Sequence, residues 1–383
     1  MGKAFRSGSL KLGILGGGQL GRMLIQKAVD YNIQTFVMDP DADAPCRGLC
    51  NEFTHGNFRS FDEVMRFGSS MDVITVEIEH VNVDALDELQ RQGKKVYPQP
   101  AVLRVVQDKG LQKEFYRINR IPTAEFRLAE RRDDLEKLTG FLPVMQKLRK
   151  SGYDGRGVKP IRSVQEIAGA FDEPSVLEKF VDFEKELSVI VSRNASGQVS
   201  HYPVVELAFN AEANLVEFLF SPASVSVSIA DKAIAVAVRV IESLQMVGLL
   251  AVEMFLTKEG EILVNEIAPR PHNSGHQTIE GNVTSQFDQH LRAILDLPPG
   301  DTSITLPSVM VNLLGEKNEN GEAAYEGFSE VLAISGAHVH LYGKKFTKAF
   351  RKMGHVTVTD ASMDAAIEKA NRIKTLLRVI SAS

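Results

Sequence analysis

LAVEMFLTKEGEILVNEIAPRPHNSGH, residues 250–276, is the stretch on which the reading of the whole chain turns. Two alternating apolar runs, 251–257 and 261–267, flank Lys258-Glu259-Gly260, and a short turn closing on glycine predicts a β-hairpin. With Glu259-Gly260 as a two-residue loop, Thr257 faces Ile262, and counting back sets Glu253 against Glu266. Directly opposed Cβ atoms in a sheet lie ~5 Å apart, and like charges there are destabilising unless something neutralises them. A divalent cation would do so: magnesium takes one or two carboxylates and leaves its other positions to water and nucleotide phosphate. The competing view is a solvated hairpin face carrying two unrelated glutamates. The following Pro269-Arg270-Pro271-His272-Asn273-Ser274-Gly275-His276 argues against that view. A proline-bounded run so dense in hydrogen-bonding side chains has the character of a binding loop fixed on rigid strands.

The chain has 383 residues, enough for two or three domains at the usual ~150 residues each. With 44% apolar and 24% charged residues its composition is that of a globular enzyme, and no apolar run approaches the ~20 residues that span a bilayer. The N-terminal MGKAFRSGSL has neither the apolar core of a leader nor a myristoylation signal, so we expect a cytoplasmic protein. Cys46 and Cys50 are the only cysteines; with His55 they make three soft ligands, and we read them as structural thiols. A net charge of −5 without a basic block argues against nucleic acid as a partner.

Upstream, residues 10–15 predict a buried strand, Gly16-Gly17-Gly18-Gln19-Leu20-Gly21 a turn, and 23–29 a helix, with Asp39 ending the next strand. Strand, glycine turn and helix form the dinucleotide-binding fingerprint, but the same turn serves wherever a helix N-terminus faces an anion. A helix at 62–67 and a strand at 73–76 extend a doubly wound domain. Glu77 and Glu79 follow that last strand, at the sheet end where such folds bind ligands. Residues 101–118 predict one helix carrying Lys109 and Lys113. A small α/β unit over 123–181 encloses Lys150-Ser151-Gly152-Tyr153-Asp154-Gly155-Arg156-Gly157. Such a loop is flexible enough to close over phosphates, though it is not a Walker loop. In the tail, 344–352 gathers five cations, either a solvated run or a phosphate site.

Taken together, the glycine-turn domain, the glycine-rich lid and the Glu253/Glu266 hairpin resemble the ATP-grasp superfamily. Within it, Gly18-Gln19-Leu20-Gly21-Arg22, the lid motif and the segment from Asn265 to His276 resemble the 5-(carboxyamino)imidazole ribonucleotide synthases of purine biosynthesis, over essentially the whole chain. The resemblance implies an α/β ATP-grasp architecture: a doubly wound parallel sheet domain (1–100), an ATP-grasp domain (101–300) with a small lid (about 123–181), and a small α+β domain (301–383). It implies Lys109 and Lys147 on ATP phosphates, Glu178, Lys179, Phe180 and Val181 along the adenine, Glu186 on the ribose, Asn265 beside the nucleotide, and Glu253 and Glu266 on Mg2+. Around aminoimidazole ribonucleotide and bicarbonate it implies Gln19, Glu79, Tyr153, Asp154, Arg156, Arg270, His272 and Asn273, with Lys344, Arg351 and Lys352 on the ribonucleotide phosphate. His80 and Phe209 depart from the family pattern, which commonly has Asn and, in some members, His at these places.

The implied reaction cleaves ATP to carboxylate an exocyclic amine by way of carboxyphosphate. Cations stabilise the transferring phosphoryl group, Arg156 and Arg270 offer bicarbonate planar bidentate donors, and Asp154 is the candidate proton acceptor. The family implies a homodimer. Two rivals share the scaffold: a formate-dependent glycinamide ribonucleotide formyltransferase, whose loop resembles Pro-His-Asp-Thr-Gly, and a non-catalytic nucleotide-binding protein, which would lack a metal carboxylate.

Overall fold

The computed structural model describes residues 7–150, 157–210 and 215–382. Five parallel strands form the first sheet, in the spatial order Glu52–His55, Gln34–Asp39, Lys11–Leu15, Val73–Val76, Lys95–Val96. The apolar runs of its three central strands are buried by helices such as Gln19–Asp30 and Val83–Arg91, as parallel sheets require. Chain order reverses between Lys11–Leu15 and Val73–Val76, which puts the glycine turn and Glu77 side by side at the switch point.

A second, antiparallel sheet of Phe126–Ala129, Ser175–Lys179, Val144–Leu148 and Val158–Ile161 makes the small unit around its own core of Leu135, Val144, Ile161 and Leu177. The lid residues Tyr153, Asp154 and Arg156 lie outside the described residues.

The largest sheet runs Ile262–Ala268, Gly248–Thr257, Phe183–Arg193, Val205–Asn210, Leu215–Ser221, Ser308–Leu314, Lys352–Thr359, Ala337–Leu341, with Val199–His201 beside Phe183–Arg193. It crosses residue 300 without a break, since Leu215–Ser221 pairs with Ser308–Leu314. Strand alternation divides its residues between two faces. One is apolar: Leu187, Val189, Val252 and Met254 pack under the helix Val227–Leu244, and Val309, Val311, Val356 and Val358 under Met363–Leu376. Glu186, Ser188, Glu253, Asn312 and His355 alternate with these residues and so line the other face. The helix Gln286–Ile294 packs on that face, where Gln289 donates to Ser192 Oγ, and its His290 Nε2 lies 2.9 Å from Thr75 Oγ1 of the N-terminal sheet.

Several local expectations change. Residues 101–118 form two helices, Pro100–Val106 and Lys109–Ile118, because the buried Asp108 accepts from the amides of Gly110 and Leu111 and so caps the second. The final helix, which the periodicity predicts over 363–379, stops at Leu376, and Arg378–Ser381 joins a small sheet with Asn320–Glu326 and Phe346–Lys348. In the hairpin, Ile262 pairs with Leu256, one residue from the expected register, since the turn is longer than two residues and Thr257 N donates to Glu261 O. A β-bulge between Glu253 and Met254 then absorbs the extra residue, and Glu253 does oppose Glu266. Two departures cancel.

Candidate active site

The bulge determines what the hairpin presents. Val264 and Ile267 both belong to the apolar face, so the two residues between them, Asn265 and Glu266, are left to the cleft side. Each meets a lysine: Lys147 Nζ donates to Asn265 Oδ1 at 3.0 Å, and Lys109 Nζ to Glu266 Oε2 at 2.8 Å. Asp108 fixes Lys109 at the start of its helix by capping it and by a two-pronged ion pair with Arg149, both contacts 2.9 Å long. The lysines thus come from different elements onto one pair of strands.

Behind them lies a buried cluster the sequence did not assign. Glu178 is almost fully buried and takes Lys147 at 3.1 Å and Lys113 at 3.3 Å; Lys113 also donates to Thr123 Oγ1 at 2.6 Å. Burial alone would raise the Glu178 carboxyl, but the two lysines outweigh it and hold it below the usual range. Burial pushes Lys113 down to about 8. The Glu178 side chain is therefore committed to lysines. Lys179 reaches Leu142 O and lies 4.6 Å from the centre of the Phe141 ring, in the small unit, while Phe180 is exposed. The spacing of Lys109 and Lys113, one turn apart on a helix, was the available signal for Lys113.

Three carboxylates crowd the cleft. Glu253 is raised by burial, by Glu266 and by Glu186; Glu266 is lowered, first by Lys109. Burial raises Glu186 to about 7. Such a pair of opposed carboxylates, one raised by burial and one held low by a lysine, has the donor chemistry of a hard divalent cation site. Among the described residues no group of three or more His, Cys, Asp or Glu is arranged to hold a metal, and the cysteines are free, Cys46 buried.

The loop after the hairpin stands beside this pair. His272 Nε2 lies 3.6 Å from Glu253 Oε1, and Arg270 pairs with Glu79 at 2.8 Å, joining the hairpin end to the N-terminal sheet. Burial and the Arg270 charge push His272 down to about 3. Asn273 and Asn312 exchange side-chain amide hydrogen bonds at 2.9 and 3.0 Å, so Asn312 is a further residue of the loop's setting. From the tail, the charge of Lys352 acts on both Glu253 and His272, and that of Lys344 on Glu77. Lys344 donates to Lys352 O at 2.6 Å, and Arg351 turns to Phe346 O at 2.6 Å. The tail loop therefore delivers Lys344 and Lys352 to the same cleft.

The glycine turn has a different tenant from the one its fingerprint suggests. Glu77 accepts from Leu20 N at 3.3 Å, and Asp39 from Gly17 N at 2.7 Å. A Cβ on Gly18 would stand 2.4 Å from Glu77 Oε1, and Gly16 holds φ +103° against the same side chain. These glycines make room for the protein's own carboxylate, which burial raises to about 7, and Asp39 is engaged on the turn instead of awaiting a ribose. Gln19 opens the helix there, and His80 is half-buried. Phe209 is exposed at a bulge in Val205–Asn210.

Comparisons with known proteins bear on all three parts of the chain. Residues 10–107 match the ribonucleotide synthetase preATP-grasp domain, 114–287 the ATP-grasp domain and 308–369 the phosphoribosylaminoimidazole carboxylase C-terminal domain. A chloroplastic phosphoribosylaminoimidazole carboxylase of Vigna aconitifolia is 42% identical over 92% of this chain, which spans only 65% of that protein's length. An N5-carboxyaminoimidazole ribonucleotide synthase of Brucella melitensis is 38% identical over 90% of this chain and 95% of its own. Among solved structures, the N5-carboxyaminoimidazole ribonucleotide synthetase of Thermotoga maritima superposes with a TM-score of 0.90 at 43% identity, covering 97% of this chain and 100% of that one. The Aspergillus clavatus enzyme, solved with ADP and 5-aminoimidazole ribonucleotide, gives 0.86 at 37% identity over 96% and 100%.

Proposed function

The chain belongs to the N5-carboxyaminoimidazole ribonucleotide synthase family of ATP-grasp proteins, and from that membership we propose that it is an ATP-dependent ligase of purine biosynthesis. It carboxylates the exocyclic amine of 5-aminoimidazole ribonucleotide with bicarbonate, giving the carboxyamino ribonucleotide, ADP and phosphate. The observation that carries this reading is the convergence of two lysines, two opposed carboxylates and the Arg270–His272 loop on one cleft.

Lys109 and Lys147 are free to exchange their carboxylate and amide partners for ATP phosphates, and so draw electron density from the γ-phosphoryl group as bicarbonate attacks it. Glu253 and Glu266 would hold magnesium, which when bound supplies charge neutralisation on the phosphates. Val181 and its neighbours face the adenine and Glu186 the ribose. Arg270 binds the carboxylate oxygens of bicarbonate and of carboxyphosphate, and His272 and Asn273 orient them. Among the lid residues Tyr153 binds substrate, Arg156 grips bicarbonate and Asp154 accepts a proton, as the resemblance assigns them. Gln19 and Glu79 take the ribonucleotide, with Lys344, Arg351 and Lys352 toward its phosphate. A closed lid protects the water-labile intermediate. The resemblance supports a homodimer and the N-terminal sequence a cytoplasmic protein; the net charge of −5 speaks against a nucleic-acid partner, and no helix among the described residues is long and apolar enough to cross a membrane.

ADP release, measured with each of the other substrates omitted in turn, tests this function. We expect release only when ATP, bicarbonate and aminoimidazole ribonucleotide are all present. Release that instead follows formate and glycinamide ribonucleotide would assign the chain to the formyltransferases, and tight nucleotide binding with no release at all would make it a sensor.

A further inference from the structure

Gln286 is fully buried at the first turn of the helix Gln286–Ile294, with no place in the chemistry above, yet it grips the binding loop at both ends. Its Oε1 accepts from His272 N at 2.9 Å, and its Nε2 donates to His272 O at 2.8 Å, so one side-chain amide closes on both main-chain groups of His272 as a neighbouring strand would. These backbone partners fix which end of the amide is which. The same Nε2 lies 3.1 Å from His276 Nδ1, which must therefore accept, and its own main-chain N–H donates to Thr278 Oγ1 at 2.8 Å, which in turn donates to Gly275 O. A Cβ on Gly275 would stand 2.5 Å from Oε1, a measure of how closely the loop is drawn onto this amide.

The ring of His272 is set by a second chain of contacts. Ser274 N donates to His272 Nδ1 at 3.3 Å, so Nδ1 is an acceptor. Ser274 Oγ lies 2.9 Å from the same nitrogen, and Ser188 Oγ lies 2.8 Å behind Ser274 Oγ. A neutral imidazole that accepts at Nδ1 carries its proton on Nε2, the atom that faces Glu253. Gln286 thus fixes where His272 stands, and the Ser188–Ser274 pair fixes which nitrogen it offers.

We propose that Gln286 is a positioning residue for the carboxylation half of the reaction, its amide holding His272 and the loop in place while Ser188 holds the Ser274 hydroxyl against Nδ1 of the His272 ring. This deepens the function proposed above, and its test includes a readout that does not depend on that function. In the full-length protein, Gln286→Glu keeps the size and one acceptor but, when ionised, cannot donate to His272 O or His276 Nδ1, and Gln286→Met removes both roles. Each lost buried hydrogen bond changes a binding constant by about tenfold. In both variants we expect the KM for aminoimidazole ribonucleotide to rise at least about tenfold while that for ATP stays within about twofold. Amides of residues 272–277 should also exchange hydrogen faster, with those of the strands Val144–Leu148 and Ser175–Lys179 unchanged. Ser188→Ala should raise the ribonucleotide KM without faster exchange in the loop, and it carries the test if neither Gln286 variant folds. Equal losses for both substrates, or unchanged exchange at 272–277 in the Gln286 variants, would overturn the proposal, as would a Ser188→Ala enzyme with wild-type constants. If the wild-type protein released no ADP with these substrates, the proposed function would fall, and the exchange pattern alone would decide for or against Gln286.

Discussion

Glu266 and Glu186 put the site's electrostatics to separate tests. Glu266→Gln keeps the size of the side chain and removes the charge that Lys109 neutralises at 2.8 Å, so the fold should persist. Turnover should drop by about two orders of magnitude or more, the scale of a single lost electrostatic contribution to phosphoryl transfer. Wild-type ADP production by this variant would reduce the carboxylate pair to a solvated face. Glu186 carries a pH prediction. Its carboxyl is raised to about 7 in the folded chain, first by burial, against ~4.3 for a free side chain. The folded state therefore binds its proton more tightly than the unfolded one, and the resulting stability, complete at low pH, is lost as pH rises through about 7. The midpoint of thermal unfolding of wild type relative to Glu186→Gln should fall between pH 5 and pH 8; a difference independent of pH would contradict it. At this scale the sequence was legible wherever a residue type has one chemistry, as for the hairpin glutamates and the basic residues of the loop. It placed Lys113 on a helix without its partners and was silent on Asn312 and Gln286, whose neighbours come from distant elements. It also misdirected at Asp39, because a glycine turn reads alike whether a nucleotide or a protein carboxylate fills it.

Elements place these residues through their irregularities. The hairpin's bulge aims both Asn265 and Glu266 at the cleft, and the interruption between Pro100–Val106 and Lys109–Ile118 sets Lys109 at a helix start. Neither is written in hydrophobic periodicity, which showed one helix and a simple two-residue turn. Period reports which face is buried, whereas a one-residue slip or a capped break is decided by hydrogen bonds to other segments. Asp108 makes the helix break, capping two amides and pairing with Arg149. Asp108→Ala should cost about 3 kcal/mol of unfolding free energy, from the lost cap and the arginine left unpaired. Urea titration reads that loss directly. A cost under about 0.5 kcal/mol would mean that the break has another cause.

Across the whole molecule, the parallel N-terminal sheet and the hairpin could be read from the chain, since each follows a clear pattern of apolar residues. The tail could not be read in the same way. Its strand Ser308–Leu314 completes the central sheet, and that pairing joins residues about ninety apart in sequence, at Leu219 and Met310. Its cationic loop thereby comes beside Glu253 and His272. On the proposed function this is one cleft in which ATP cleavage and carboxylation are coupled, and isotope transfer tests that coupling most directly. With bicarbonate labelled by oxygen-18, ATP and aminoimidazole ribonucleotide, attack by bicarbonate on the γ-phosphoryl group must leave one labelled oxygen in each phosphate released. Unlabelled phosphate formed alongside carboxylated product would show that water cleaves the ATP and would contradict the account.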